Sequence, residues 1–126
     1  MAITAFFAEV IQRSASDTGQ RGCMLVNAVL EKDHHADGLP EAIESELAEI
    51  RSFFRRSIAA AQKRREVPKS VKANEASAHL LTLLMGMRVL ARTNADRGLL
   101  RSAAEVSLAM LGLPGLQEAG NAISNK

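Results

Sequence analysis

The sequence predicts an all-α domain built from five helices. It has no Trp and no Tyr, only 4 Phe, and Ala and Leu throughout, which is the profile of packed helices rather than of an aromatic-rich β sandwich. Its apolar residues recur at helical spacing along most of the chain, and only 8 Gly and 3 Pro punctuate it. With 126 residues, 47% of them hydrophobic and 24% charged, and a formal net charge of +2, the chain has the composition of one folded domain, not of a disordered or low-complexity segment.

The same composition narrows the setting. A single cysteine, Cys23, rules out a disulfide within the chain and points to a reducing, cytoplasmic compartment. No apolar run approaches the ~20 residues that span a bilayer, and the start at Met1, Ala2 and Ile3 lacks the basic flank of a secretory signal.

The first helix is expected over residues 3–13, where Ile3, Phe6, Phe7, Val10 and Ile11 fall at i, i+3, i+4, i+7 and i+8 and Glu9, Gln12 and Arg13 stand off that stripe. Residues 14–21, with Ser16, Asp17 and Gly19, read as a polar loop. Residues 22–30 are apolar on every side except at Asn27, so periodicity alone leaves a buried helix and a buried strand both open. A buried Asn27 needs hydrogen-bond partners, because an unsatisfied amide costs roughly 1–3 kcal/mol. Residues 31–39 form the next polar break.

Pro40 suits the first turn of a long helix, where its missing N–H would be unpaired anyway. Ile43, Leu47, Ile50, Phe54, Ile58 and Ala61 then hold one stripe to Gln62 or beyond, and Pro68 closes the element. Its charges are graded, with Glu41, Glu44, Glu46 and Glu49 early and Arg51, Arg55, Arg56, Lys63, Arg64 and Arg65 late, an order that complements the helix macrodipole. The fourth helix starts from a choice of caps between residues 70 and 74 and carries Ala76, Leu80, Leu83, Leu84, Met87, Leu90 and Ala91. Gly86 sits inside it at about 1 kcal/mol relative to Ala, which is sensible where another backbone or a ligand comes close. Residues 93–96 make a capping turn, and the fifth helix runs from Leu99 to Leu111 before Gly112 and Pro114 stop it. The folded domain is expected over residues 1–113, with a frayed tail over 114–126.

Each of the last two helices carries apolar residues over a wider arc than the ~100° that a core-facing helix uses. One side is left for a second chain, and the two helices are expected to form an antiparallel pair that completes a four-helix bundle in a homodimer. The interface candidates are Leu80, Leu83, Leu84, Met87 and Leu90 on the first, and Leu100, Ala103, Ala104, Ser107, Leu108 and Leu111 on the second.

The run Gly22, Cys23, Met24, Leu25, Val26, Asn27, Ala28, Val29, Leu30 and Glu31 resembles the regulatory domain of the TetR family of transcriptional repressors, in the branch with a Gly-Cys-Leu-Leu-Val-Asn-type segment ending in Glu. Met24 stands in place of the usual Leu. Two weaker echoes follow in order: Arg65, Glu66, Val67 and Pro68 are similar to a Gly-Glu-Leu-Pro element without its Gly, and residues 86–92 to a late-helix segment. The resemblance implies an all-helical C-terminal domain that binds a small inducer and dimerises through its last two helices, and it implies a helix for residues 22–30. The family's N-terminal helix-turn-helix is not found ahead of Ile3, so a fragment of a longer regulator is expected rather than a naturally short protein. DNA would then be reached only through a domain absent from this chain.

Under that resemblance a small hydrophobic inducer would sit among Phe6, Phe7, Cys23, Met24, Asn27, Phe53, Phe54, Met85 and Met87, with His79 as one polar contact. The plain alternative for each is ordinary core. Cys23, near the positive end of a helix, is a candidate redox sensor, although no second cysteine could resolve an oxidised state in the chain, and the plain alternative is a small buried hydrophobe. Asp33, His34, His35 and Asp37 match no common metal spacing and read as a solvated loop. The basic end of the long helix lacks interleaved aromatics for nucleic-acid stacking. Neither a nucleophile set around Cys23 nor a Gly-rich phosphate loop nor a Glu-x-x-His metal pair is present, so no enzyme activity, metal or cofactor is expected. The competing reading is a stand-alone helical dimerisation protein with no ligand.

Overall fold

A computed structural model describes residues 1–14, 41–93 and 96–116. Among these residues there are four α-helices and no strand: α1 (Ala2–Arg13), α2 (Glu41–Lys63), α3 (Ala73–Arg92) and α4 (Arg97–Met110). They match four of the five helices expected. Residues 22–30, expected to form the remaining one, and the loop holding His34 and His35 lie outside the described residues.

Specific polar contacts tie α2 to α3, α3 to α4 and α1 to α4. Arg51 of α2 reaches across to Ser77 Oγ at 3.3 Å and to the Asn74 carbonyl at 3.1 Å, at the start of α3. At the other end of α2, Gln62 donates to the carbonyls of Pro68 and Val71 at 3.0 and 2.7 Å, closing the connection between the two helices. His79 of α3 and Ser107 of α4 lie 3.1 Å apart through Nε2 and Oγ. On α1, the buried Thr4 donates to the Pro114 carbonyl at 2.7 Å, and the Gln12 carbonyl accepts from Arg97 at 3.5 Å, so α1 lies along α4.

The core sits where the four helices meet. Ile3 and Phe7 of α1, Phe54 and Ile58 of α2, Leu80 and Leu84 of α3, and Leu100 and Leu108 of α4 are fully buried in it. The burial on α2 is concentrated in its second half: Phe54, Ile58 and Ala61 are buried, whereas Ile43, Leu47 and Ile50 are half-buried. Packing continues past α4. Leu113 and Leu116 are buried, and the Pro114 carbonyl accepts from Thr4.

Two helix ends have the same hydrogen-bond pattern and different chemistry. At the end of α4, the Leu113 N–H bonds to the Leu108 carbonyl at 2.8 Å and the Gly112 N–H to the Ala109 carbonyl at 3.1 Å, with Gly112 at φ 71°. At the end of α2, the Glu66 N–H bonds to the Ala61 carbonyl at 2.9 Å and the Arg65 N–H to the Gln62 carbonyl at 3.1 Å, with Arg65 at φ 62°. Both are Schellman caps, in which the residue after the helix takes a left-handed conformation to satisfy the last carbonyls. Glycine adopts that conformation freely; an L-residue with a Cβ does so at roughly 1–2 kcal/mol. Arg65 therefore occupies the position where the sequence comparison above noted a missing glycine. The cap also brings Arg64 within 3.0 Å of Glu66, and this guanidinium holds the exposed Glu66 carboxyl below its ordinary range, chiefly by hydrogen bonding.

The start of α4 is capped as expected, Asp96 accepting from the Leu99 N–H at 2.8 Å. The start of α3 differs: its cap position is Lys72, with extended backbone and no side-chain hydrogen bond to the helix, in place of a Ser or Asn cap.

Candidate functional site

Phe6 and Phe7 of α1 meet Phe53 and Phe54 of α2 in one aromatic cluster. Phe7 and Phe54 stack with their rings 5.7 Å apart, while Phe6 stands edge-on to both at 5.5 and 5.4 Å and lies 5.7 Å from Phe53. These separations are those of favourable aromatic pairs. Phe7 and Phe54 are fully buried, and Phe6 and Phe53 are half-buried at the edge. Of the expected pocket residues, the structure brings these four together; Cys23, Met24 and Asn27 lie outside the described residues.

The other three pocket candidates lie on α3. Met87 is buried on the core side of α3, in line with Leu80 and Leu84. Met85, two residues earlier, is half-buried and stands on a different side of the same helix, since residues two apart do not share a helical face. His79 is exposed and bridges to Ser107. A groove of about 390 Å³ does open in the described structure, but elsewhere, between Pro68 to Lys72, the first turn of α3 and the end of α4 at Met110 and Gly112.

The second apolar region is the outer face of α3 and α4. Here the expected interface set divides. Leu80, Leu84, Leu100, Ala104 and Leu108 are fully buried, and Met87 and Ser107 nearly so, in the chain's own core. Leu83, Ala103 and Leu111 are half-buried, and Leu90 is 38% exposed. Three residues outside that set are the most open: Leu99 at 49%, Val106 at 58% and Met110 at 76%.

Leu99, Ala103, Val106 and Met110 fall at i, i+4, i+7 and i+11, one continuous stripe along α4. On α3, Leu83, Gly86 and Leu90 follow the same pattern, at i, i+3 and i+7. Gly86 is exposed, has an ordinary helical backbone, and a Cβ added there would meet nothing within 4 Å. Nothing in the packing of the described residues accounts for a glycine at a position where Ala would gain about 1 kcal/mol of helix stability. A large apolar residue left in water is ordinary when single; a stripe of them is the mark of a contact surface. The spacing was legible in the sequence, and the missing signal was which of the two apolar sides of α4 its own chain would cover.

No helix of the described residues is long and apolar enough to cross a membrane. No curated protein and no solved structure matches the chain. A family model described as tetracyclin repressor-like, C-terminal domain, does match, over residues 2–106, a span that takes in α1, α2, α3 and most of α4. On that match the chain belongs to the tetracyclin repressor-like C-terminal domain family.

Proposed function

We propose that this chain is the inducer-binding and dimerisation module of a TetR-like repressor, acting in the cytoplasm and regulating without catalysis. The observation that carries the proposal is the outer face of α3 and α4, where Leu99, Val106 and Met110 are open to solvent in one stripe. Burying apolar surface contributes roughly 25 cal/mol per Å², so pairing two such faces about a twofold axis supplies a driving force that the single chain leaves unused. The paired α3 and α4 helices of two copies would complete a four-helix bundle. Its centre would run along Ala103 and Gly86, small residues that let helices approach closely, with Leu83 and Leu90 beside them.

The inducer site is proposed at the aromatic cluster, with Phe6 and Phe53 as the accessible edge and Cys23, Met24 and Asn27 as the remaining wall. A small hydrophobic compound fits this chemistry: apolar walls with few polar groups. Its effect would be a population shift, in which an inducer that prefers one packing of α1 on α2 changes how the paired chains set the spacing of the DNA-reading units coupled to them. A thermal-shift screen of small hydrophobic compounds tests this, since a ligand bound only by the folded state raises Tm. The expected result is a hit whose shift is lost in Phe53→Ala.

The close packing of the four rings also favours a second reading, a helical dimerisation protein with no ligand. The two readings differ in one outcome. A dimer that no compound stabilises supports the second and removes the inducer from the account.

A further inference from the structure

Apart from Arg51, which is held by Ser77 and Asn74, the charged residues of α2 are segregated by sign and form no ion pair with one another among the described residues. Glu41, Glu44, Glu46 and Glu49 occupy the first half, and Arg55, Arg56 and Lys63 lie in the second. No Glu and Arg or Lys among them stand three or four residues apart, the spacing at which helical neighbours pair. The ion pairs of the described residues lie elsewhere, including Glu9 with Arg13 on α1 at 2.7 Å and Arg101 with Glu105 on α4 at 3.2 Å, both at that spacing. The helix macrodipole accounts for Glu41 and Lys63 at the two ends, but its influence falls off within the first and last turns and does not reach Glu49 or Arg56.

The exposed face of α2 has a second regularity. Glu41, Ser45, Ala48, Glu49, Arg56, Ala59 and Lys63 are all exposed, and Ser52, midway along the helix, is half-buried between them. Helical spacing puts these residues on one face. Small side chains run down its middle, and charges of opposite sign stand on the two sides of Ser52: Glu41 and Lys63 eleven residues away in either direction, Glu49 three residues before it and Arg56 four after it. The face is complementary to itself when reversed.

We infer that this face of α2 is a second, electrostatic docking surface whose occupant is another copy of the chain, laid antiparallel about a twofold axis at Ser52. In that arrangement Glu41 meets Lys63 of the second copy and Glu49 meets Arg56 of the second copy, and symmetry repeats both pairs. Ser45, Ser52 and Ala59 allow the backbones to approach. Because this surface lies on a different helix from the outer face of α3 and α4, a chain that pairs through both closes into a dimer of dimers where the two twofold axes meet at right angles, and forms longer assemblies where they do not. Exposed ion pairs are individually weak, so the contact is a weak one that salt screens.

The test is the mass of the full chain, by light scattering or sedimentation, at about 20 mM and about 500 mM salt, where the screening length falls several-fold. The expected result is at least a doubling of mass at low salt over high salt. Glu41→Lys with Glu49→Lys in one variant, and Arg56→Glu with Lys63→Glu in another, should each lose that step. An equimolar mixture of the two should regain it, because every pair is then of opposite sign, and a chain carrying all four changes should regain it alone. Circular dichroism checks that each variant keeps its helices. Variants that retain the step, or a mixture that fails to restore it, overturn the inference, as does an unchanged mass at low salt, the outcome expected if a different protein covers the face. This inference does not depend on the α3 and α4 dimer: if that reading fails, the mass at high salt is that of one chain, while the salt-dependent doubling and its charge-swap rescue remain.

Discussion

The aromatic cluster between α1 and α2 and the outer face of α3 and α4 are both apolar, and they differ in what covers them. In the first, four phenyl rings from two helices cover one another, and Phe7 and Phe54 have no exposed surface. In the second, Leu99, Val106 and Met110 are held at equally regular helical spacing and nothing in the described chain covers them. Hydrophobic residues alone therefore do not separate core from contact surface; the presence of a facing helix does. Burial within the chain stabilises the fold, whereas the open stripe contributes only when a second surface arrives.

That contrast is breakable by mutation. The largest effect is expected at Phe54: Phe54→Ala removes a fully buried ring from the cluster and should lower unfolding stability by about 3–5 kcal/mol in a urea titration. Met110→Ala, on the open face, should leave the stability of the single chain within about 0.5 kcal/mol. Equal losses at the two sites would erase the distinction.

A sharper probe is Gly86. With open space around its Cβ position, Gly86→Leu should be tolerated by the fold and leave the far-ultraviolet spectrum unchanged. If a second chain packs over it, the same change should weaken dimerisation by about tenfold, equivalent to about 1.4 kcal/mol, measured by dilution. Undiminished pairing would place the contact away from the middle of α3.

Arg65→Gly asks what the core side gains from its loop. The change relieves a left-handed arginine at the α2 cap and should raise stability by about 1 kcal/mol, visible as a higher urea midpoint, with no change in mass. The smallest effect concerns the exposed Arg64 and Glu66 pair. Its carboxyl is held below the usual range in the folded state, so its small contribution is present above the ordinary Glu pKa of about 4.3 and is lost as pH falls through the lowered value. Glu66→Gln should flatten that part of the pH dependence of Tm.

The four described helices were legible because each has a strong 3.6-residue pattern and visible punctuation: Asp96 caps α4, and Gly112 ends it. The cap at Arg65 was legible only as a missing glycine in a partly matched element, since sequence alone does not show which backbone angle an arginine adopts. The candidate surface was half legible. Periodicity marked α3 and α4 as apolar over a wide arc, but the expected interface took in Leu108 and left out Val106, and only the packing of the other helices decides that Leu108 faces inward and Val106 outward. Lys72, with no side-chain bond at the start of α3, shows a similar limit: Ser70 and Asn74 were better caps by residue type, but the path of the 64–72 connection, tied down by Gln62, sets where the helix begins.

The central claim is that the open face of α3 and α4 pairs with a second copy, and its most direct test is the solution mass of the chain at micromolar concentration in high salt. The account predicts a two-chain mass for the natural sequence and a one-chain mass, with unchanged helical content, for Val106→Glu with Met110→Glu. A one-chain mass for the natural sequence, or a two-chain mass that survives both substitutions, would contradict it.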